Sequence, residues 1–82
     1  AYGHTVTDLN NKGDIVGYAP GSNGQDTAVL WRGGKAVNLG RAGSGTVSRA
    51  FGINDLGQIV GEGNLVAGGP MHALRWTVSA TR

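Results

Sequence analysis

Cysteine is absent from this chain, proline occurs twice and charged residues make up only 15% of its 82 positions. Without thiols, neither a disulfide framework nor a thiolate metal site can staple the fold. The five acidic and seven basic residues are dispersed singly, which is not the concentrated basic footprint of a nucleic-acid-binding surface, and no nucleic-acid partner is expected. No apolar run exceeds four residues, far below the ~20 needed for a helix to cross a bilayer, so no membrane insertion is expected. A domain of this length buries only about 60% of the surface its unfolded chain exposes, and stability must come from packing or from neighbouring chains. What the chain does have is glycine, 16 residues of it, too much for a helical domain. The apolar segments between the glycines recur too regularly for a linker, and short strands joined by tight turns fit best.

The segment Leu9-Asn10-Asn11-Lys12-Gly13-Asp14-Ile15-Val16-Gly17 returns 44 positions later as Ile53-Asn54-Asp55-Leu56-Gly57-Gln58-Ile59-Val60-Gly61. Each copy leads to an Ala-x-x-Trp segment, Ala28 to Trp31 and Ala73 to Trp76, now offset by 45, so one residue is gained between the landmarks. A period of this length marks an architecture made by repeating one supersecondary unit. The chain is therefore read as a single domain, 1–82, of two repeats: approximately 5–44, and a shorter second copy at 45–82.

Within a unit, Asn10 or Asn54 opens a hairpin turn by accepting from the backbone two residues on, and Gly13 or Gly57 supplies the positive φ that closes it. The two middle residues differ freely between copies, as expected where only the first and fourth positions have a geometric role. The Ile-Val-Gly strand, ending at Gly17 or Gly61, is followed by a variable loop and a third strand carrying Trp31 or Trp76. In the first copy Gly33-Gly34 then turns the chain into a fourth strand, Lys35 to Leu39. The second copy has no counterpart of that fourth strand. The expected fold class is all-β: two four-stranded antiparallel units resembling β-propeller blades, the second lacking its last strand. Seven strands are expected, and the segment Ala1 to Thr5 is a candidate to supply the missing partner, within the chain or to a neighbour.

These residues resemble the extracellular HAF repeat, a bacterial family whose pattern runs Ala-x-x-Ile-Asn-x-x-Gly-x-Ile-Val-Gly, a variable loop, then His-Ala-Phe-x-Trp and a Leu-Gly ending. The second unit carries Ala50, Ile53, Asn54, Gly57, Ile59, Val60 and Gly61, then His72-Ala73-Leu74-Arg75-Trp76 with Leu in place of Phe. The first unit departs further, with Leu9 for Ile, Thr27 for His and Val29 for Phe, but keeps Asn38-Leu39-Gly40. The resemblance implies a secreted or cell-surface protein of propeller-like repeats and no defined activity. Propellers typically need about 4–8 blades, so closure of a ring would require several copies of this chain.

Asn10, Gly13, Gly17, Trp31 and their equivalents Asn54, Gly57, Gly61 and Trp76 are assigned to the repeat structure, with the tryptophans filling the space between units. His72 is expected to be a hydrogen-bonding group tying a loop to its strand. Asp8 to Asp14 has oxygen ligands on alternate residues like the start of a calcium loop, but Lys12 stands at a ligand position and the second copy offers Gly52 and Leu56, so no metal is expected. No nucleophile elbow, phosphate loop or His-Glu metal motif is present, and neither catalysis nor a cofactor is expected. The expected function is a non-catalytic extracellular module whose loops, Pro20 to Asp26 and Asn64 to Pro70, bind a glycan or a cell-surface protein. Its candidate ligand residues are Tyr18, Asp26, Arg32, Glu62, His72 and Arg75. The alternative is a structural subunit that partners itself, self-assembling into an oligomeric propeller or a filament by strand complementation.

Overall fold

The computed structural model describes residues 5–21, 24–41, 43 and 45–78. Residues 1–4 of the candidate extra strand, Ser22 and Asn23 of the first variable loop, and Ser44 and Ser79 lie outside them. The described residues form seven strands and no helix: β1 (Thr5–Leu9), β2 (Ile15–Pro20), β3 (Asp26–Arg32), β4 (Lys35–Gly40), β5 (Ser48–Ile53), β6 (Gln58–Asn64) and β7 (Met71–Thr77). Two antiparallel meanders result, one of four strands in the order β1-β2-β3-β4 and one of three in the order β5-β6-β7. The described residues form neither a closed barrel nor a ring.

The repeat in sequence is a repeat in register. Ile15 pairs with Trp31 and Val16 with Leu30, as Ile59 pairs with Trp76 and Val60 with Arg75. The extra residue lies in the loop between β6 and β7, since Pro20 pairs with Asp26 and Asn64 with Met71. A β-bulge interrupts the first pairing of each unit at equivalent places, between Val6 and Asp8 and between Ala50 and Gly52. The bulge explains the glycine that ends Ile-Val-Gly. A Cβ on Gly17 would lie 1.8 Å from the Thr5 carbonyl oxygen, and one on Gly61 would lie 1.9 Å from that of Arg49. No side chain fits where the bulged strand's backbone crosses so closely.

The two hairpin turns are built alike. Asn10 Oδ1 accepts from the backbone N–H of Lys12 and Asp14, each at 3.0 Å, and Asn54 Oδ1 accepts from Leu56 and Gln58, also at 3.0 Å. Gly13 and Gly57 both adopt a φ of 84°. Gly33 and Gly34 are both in the left-handed region, as the two-residue turn between β3 and β4 requires.

The sheets stack, with β5 lying against β1, β2 and β3. Because residues opposite one another in a register share a face, Val16 and Leu30 look one way from the first sheet, and Ile59 and Trp76 look back from the second. Between them lies the core: Val16, Ala28 and Leu30 against Ala50 and Ile59, all buried, with Leu39, Ile53, Trp76 and Val78 packed around it. Burial of each large aliphatic residue here contributes about 1.5–3 kcal/mol. Trp76 thus fills the space between units.

Polar groups at the junction are paired across it. Thr7 donates its hydroxyl to the Ala50 carbonyl at 2.7 Å, and Asp8 Oδ2 accepts from the Ile53 N–H at 3.0 Å. Ser48, fully buried, accepts from the Ala28 N–H at 2.9 Å and donates to the Gly40 carbonyl at 2.8 Å. The turns also meet: Asn10 Nδ2 donates to the Asn54 carbonyl at 3.0 Å, while the Asn11 N–H and Nδ2 donate to the two Asp55 oxygens at 2.9 and 3.1 Å.

Candidate functional site

Three of the six candidate ligand residues come together at one edge of the junction. Arg49, on the edge strand β5, donates through Nε to Asp26 Oδ2 at 2.8 Å and through Nη1 to Glu62 Oε2 at 3.1 Å. Its guanidinium carbon lies 5.7 Å from the centre of the Tyr18 ring, within cation–π range. Phe51 meets the same tyrosine edge to face at 6.3 Å between centroids. All three charged side chains are roughly a third exposed and Phe51 is 44% exposed, so the cluster is a surface patch. The hydrogen bond to Asp26, followed by that to Glu62, raises the Arg49 pKa above its ordinary value against the opposing effect of burial.

Arg32 is not part of that patch. It lies at the other end of β3 from the Pro20 to Asp26 loop, and its Nε donates to Asp14 Oδ1 at 2.9 Å while its Nη2 donates to Asp14 Oδ2 at the same distance. Asp14 is buried and also accepts from Asn10 Nδ2 at 3.2 Å. The forked hydrogen bond to Asp14 raises the Arg32 pKa, and this arginine fastens the first hairpin turn to β3. The second unit has Gln58 and Thr77 in these places.

His72 and Arg75 are both exposed on β7, three residues apart and so on opposite faces of the sheet. The His72 backbone pairs with Gly63 in the β6–β7 ladder, while its side chain makes no hydrogen bond to another described residue, so the described residues do not show the imidazole as a tie between loop and strand. Arg75 shares its face with Val60. The carboxylates of the calcium-like segment are engaged, Asp8 by the Ile53 N–H and Asp14 by Arg32. Among the described residues no group of His, Asp or Glu side chains is arranged to hold a metal ion, and they enclose no cavity or cleft.

Arg49, and the partners of Asp14, Ser48 and Phe51 at these junctions, are what composition and motif alone leave out. One has a legible signal: extending the β2–β3 register one residue beyond Ile15 and Trp31 sets Asp14 opposite Arg32, whereas Arg49 comes opposite Glu62 only through the bulge between Ala50 and Gly52, an unbroken hairpin register putting it opposite Gly63. Comparison of the chain with family models, with characterised proteins and with solved structures finds no match.

Proposed function

We propose that the chain is a non-catalytic recognition module of the extracellular HAF-repeat kind, made of blade-like units, and that it binds a glycan through the surface patch around Arg49. The observation that carries this reading is the convergence of Tyr18, Asp26 and Glu62 on one guanidinium, with Phe51 packed edge to face on the same tyrosine, at the foot of the Pro20 to Asp26 loop. An exposed aromatic ring offers an apolar face to the C–H side of a sugar, and carboxylates about a third exposed and held by arginine accept from its hydroxyls. Arg49 joins the units through Asp26 and holds Glu62 within its own sheet, so the charged groups of the patch present fixed hydrogen-bonding oxygens, which supports a binding role.

A glycan array probed with the purified chain tests the reading, with Phe51→Ala and Asp26→Asn as variants. Array signal that both variants abolish while their melting temperatures hold supports it. A silent array sinks it.

A second reading, a structural subunit that assembles with itself, is supported by a different observation: the face that is covered in the first unit is bare in the second. Val16 is fully buried and its equivalent Val60 is 53% exposed.

A further inference from the structure

We infer that the bare faces of the two sheets fit each other, so that the second unit of one copy seats on the first unit of another in the arrangement that joins the units within the chain. This deepens the self-assembly reading by naming its surface: sheet faces, where strand complementation would use the free edge of β7.

The internal junction is the template. It joins a leading face of unit one to a trailing face of unit two, so it is heterologous, and each unit keeps one face of the opposite kind. On the second unit the bare leading face carries Val60, Ala73 and Arg75, equivalents of the buried Val16, Ala28 and Leu30. On the first unit the bare trailing face carries Val6 and Leu9, 61% and 63% exposed, equivalents of Ala50 and Ile53 in the internal junction. Apolar residues thus stand at corresponding places on both open faces.

The polar pairing also transposes. Within the chain, Asn10 Nδ2 donates to the Asn54 carbonyl. Between copies, Asn54 Nδ2 would donate to the Asn10 carbonyl, since the donor and the acceptor are both asparagine. Asn11 and Asp55 exchange roles and still satisfy each other: the Asp55 N–H meets the Asn11 side-chain oxygen, and Asn11 Nδ2 meets the Asp55 carboxylate. The Asn54 carbonyl already accepts two bonds, from Gly57 N–H and from Asn10, so the Asn10 carbonyl, which accepts from Gly13, has the same capacity. A ladder of turns can therefore continue from copy to copy.

Other substitutions weaken the copy. Arg75 stands where Leu30 fills the internal core, and Gly52 replaces Asp8, which removes the acceptor for the equivalent strand N–H. The association is accordingly reversible and weaker than the internal junction, and Arg75 opposes it most.

Sedimentation velocity of the full chain over a concentration series, with circular dichroism melts to verify folding, is the test. The chain self-associates; Val60→Glu and Leu9→Glu each raise the dissociation constant more than about tenfold. An equimolar mixture of the two variants forms a one-to-one pair, because each retains the face the other lacks. Arg75→Leu tightens the association. Should Leu9→Glu melt early, Val6→Glu tests the same face. Association unchanged in both glutamate variants overturns the proposal and leaves assembly through the β7 edge standing. Disruption by either variant without rescue in the mixture also overturns it, since a two-fold interface behaves so. A chain that stays monomeric even as Arg75→Leu overturns both the proposal and the assembly reading.

Discussion

Asn10 hands a side-chain hydrogen bond to the backbone of its own equivalent: its Nδ2 donates to the Asn54 carbonyl at 3.0 Å. The same amide group closes its own turn through Oδ1, so one residue fixes a hairpin and sets the spacing between two units. Asn54 does only the first of these within the chain, and it is exposed where Asn10 is buried.

That asymmetry predicts unequal costs for one substitution made twice. Asn10→Ala removes the acceptor for the part-buried Lys12 N–H and the buried Asp14 N–H and leaves the buried Asp14 carboxylate short of a donor, for a cost of about 2–4 kcal/mol. Asn54→Ala, whose orphaned groups reach water, costs about 1 kcal/mol. Urea unfolding of both variants with unchanged m-values checks the order.

Glycines with different duties separate in the same assay. Gly13→Ala meets no neighbour within 4 Å and suffers only its φ of 84°, at about 1 kcal/mol. Gly17→Ala drives a Cβ into the Thr5 carbonyl and must undo the bulge, at a cost above about 3 kcal/mol. Equal effects would mean that the bulge yields.

The two arginine clusters respond differently to removal and to salt. Arg32→Met strands the buried Asp14 carboxylate and costs about 3–5 kcal/mol, little changed by salt. Arg49→Met breaks ion pairs that are about a third exposed and costs under about 1 kcal/mol, a difference that shrinks as salt is added. Chemical denaturation at low and high ionic strength distinguishes them.

Both guanidinium groups have folded pKa values raised above the unfolded ones. Their contribution is complete below the unfolded arginine pKa and is lost only as pH rises through the still higher folded value. Stability measured from neutral pH to about pH 10 therefore shows no loss attributable to either arginine. A fall in that range that Arg32→Met removes would contradict the assignment.

Much of the unit is legible in the sequence because its determinants are local. Asn10 and Gly13 announce a turn, Gly33-Gly34 announces another, and Met71 to Thr77 appears as the strand read from the residues. The bulge at Val6 to Asp8 is not legible, since an apolar residue followed by threonine and aspartate looks like any strand. Its signature is displaced to Gly17 on the partner strand. The junction is hidden for another reason. That Asn11 meets Asp55, or Ser48 meets Ala28, depends on how one sheet lies over another, and no spacing along the chain encodes that angle. Of the candidate ligand residues, Tyr18, Asp26 and Glu62 converge because the junction gathers them, whereas Arg32 looks like a binding residue until Asp14 is seen opposite it.

Ser48 gives the junction a built-in clock. The Ala28 N–H donates to the hydroxyl of a residue in the other unit, and that hydroxyl in turn holds the Gly40 carbonyl just before the crossing into the second unit. The Ala28 amide proton is thus shielded by the neighbouring sheet, and deuterium reaches it when the sheets part. Its exchange rate, set beside those of amides bonded only within β2 and β3, measures how often the two units separate without either one unfolding.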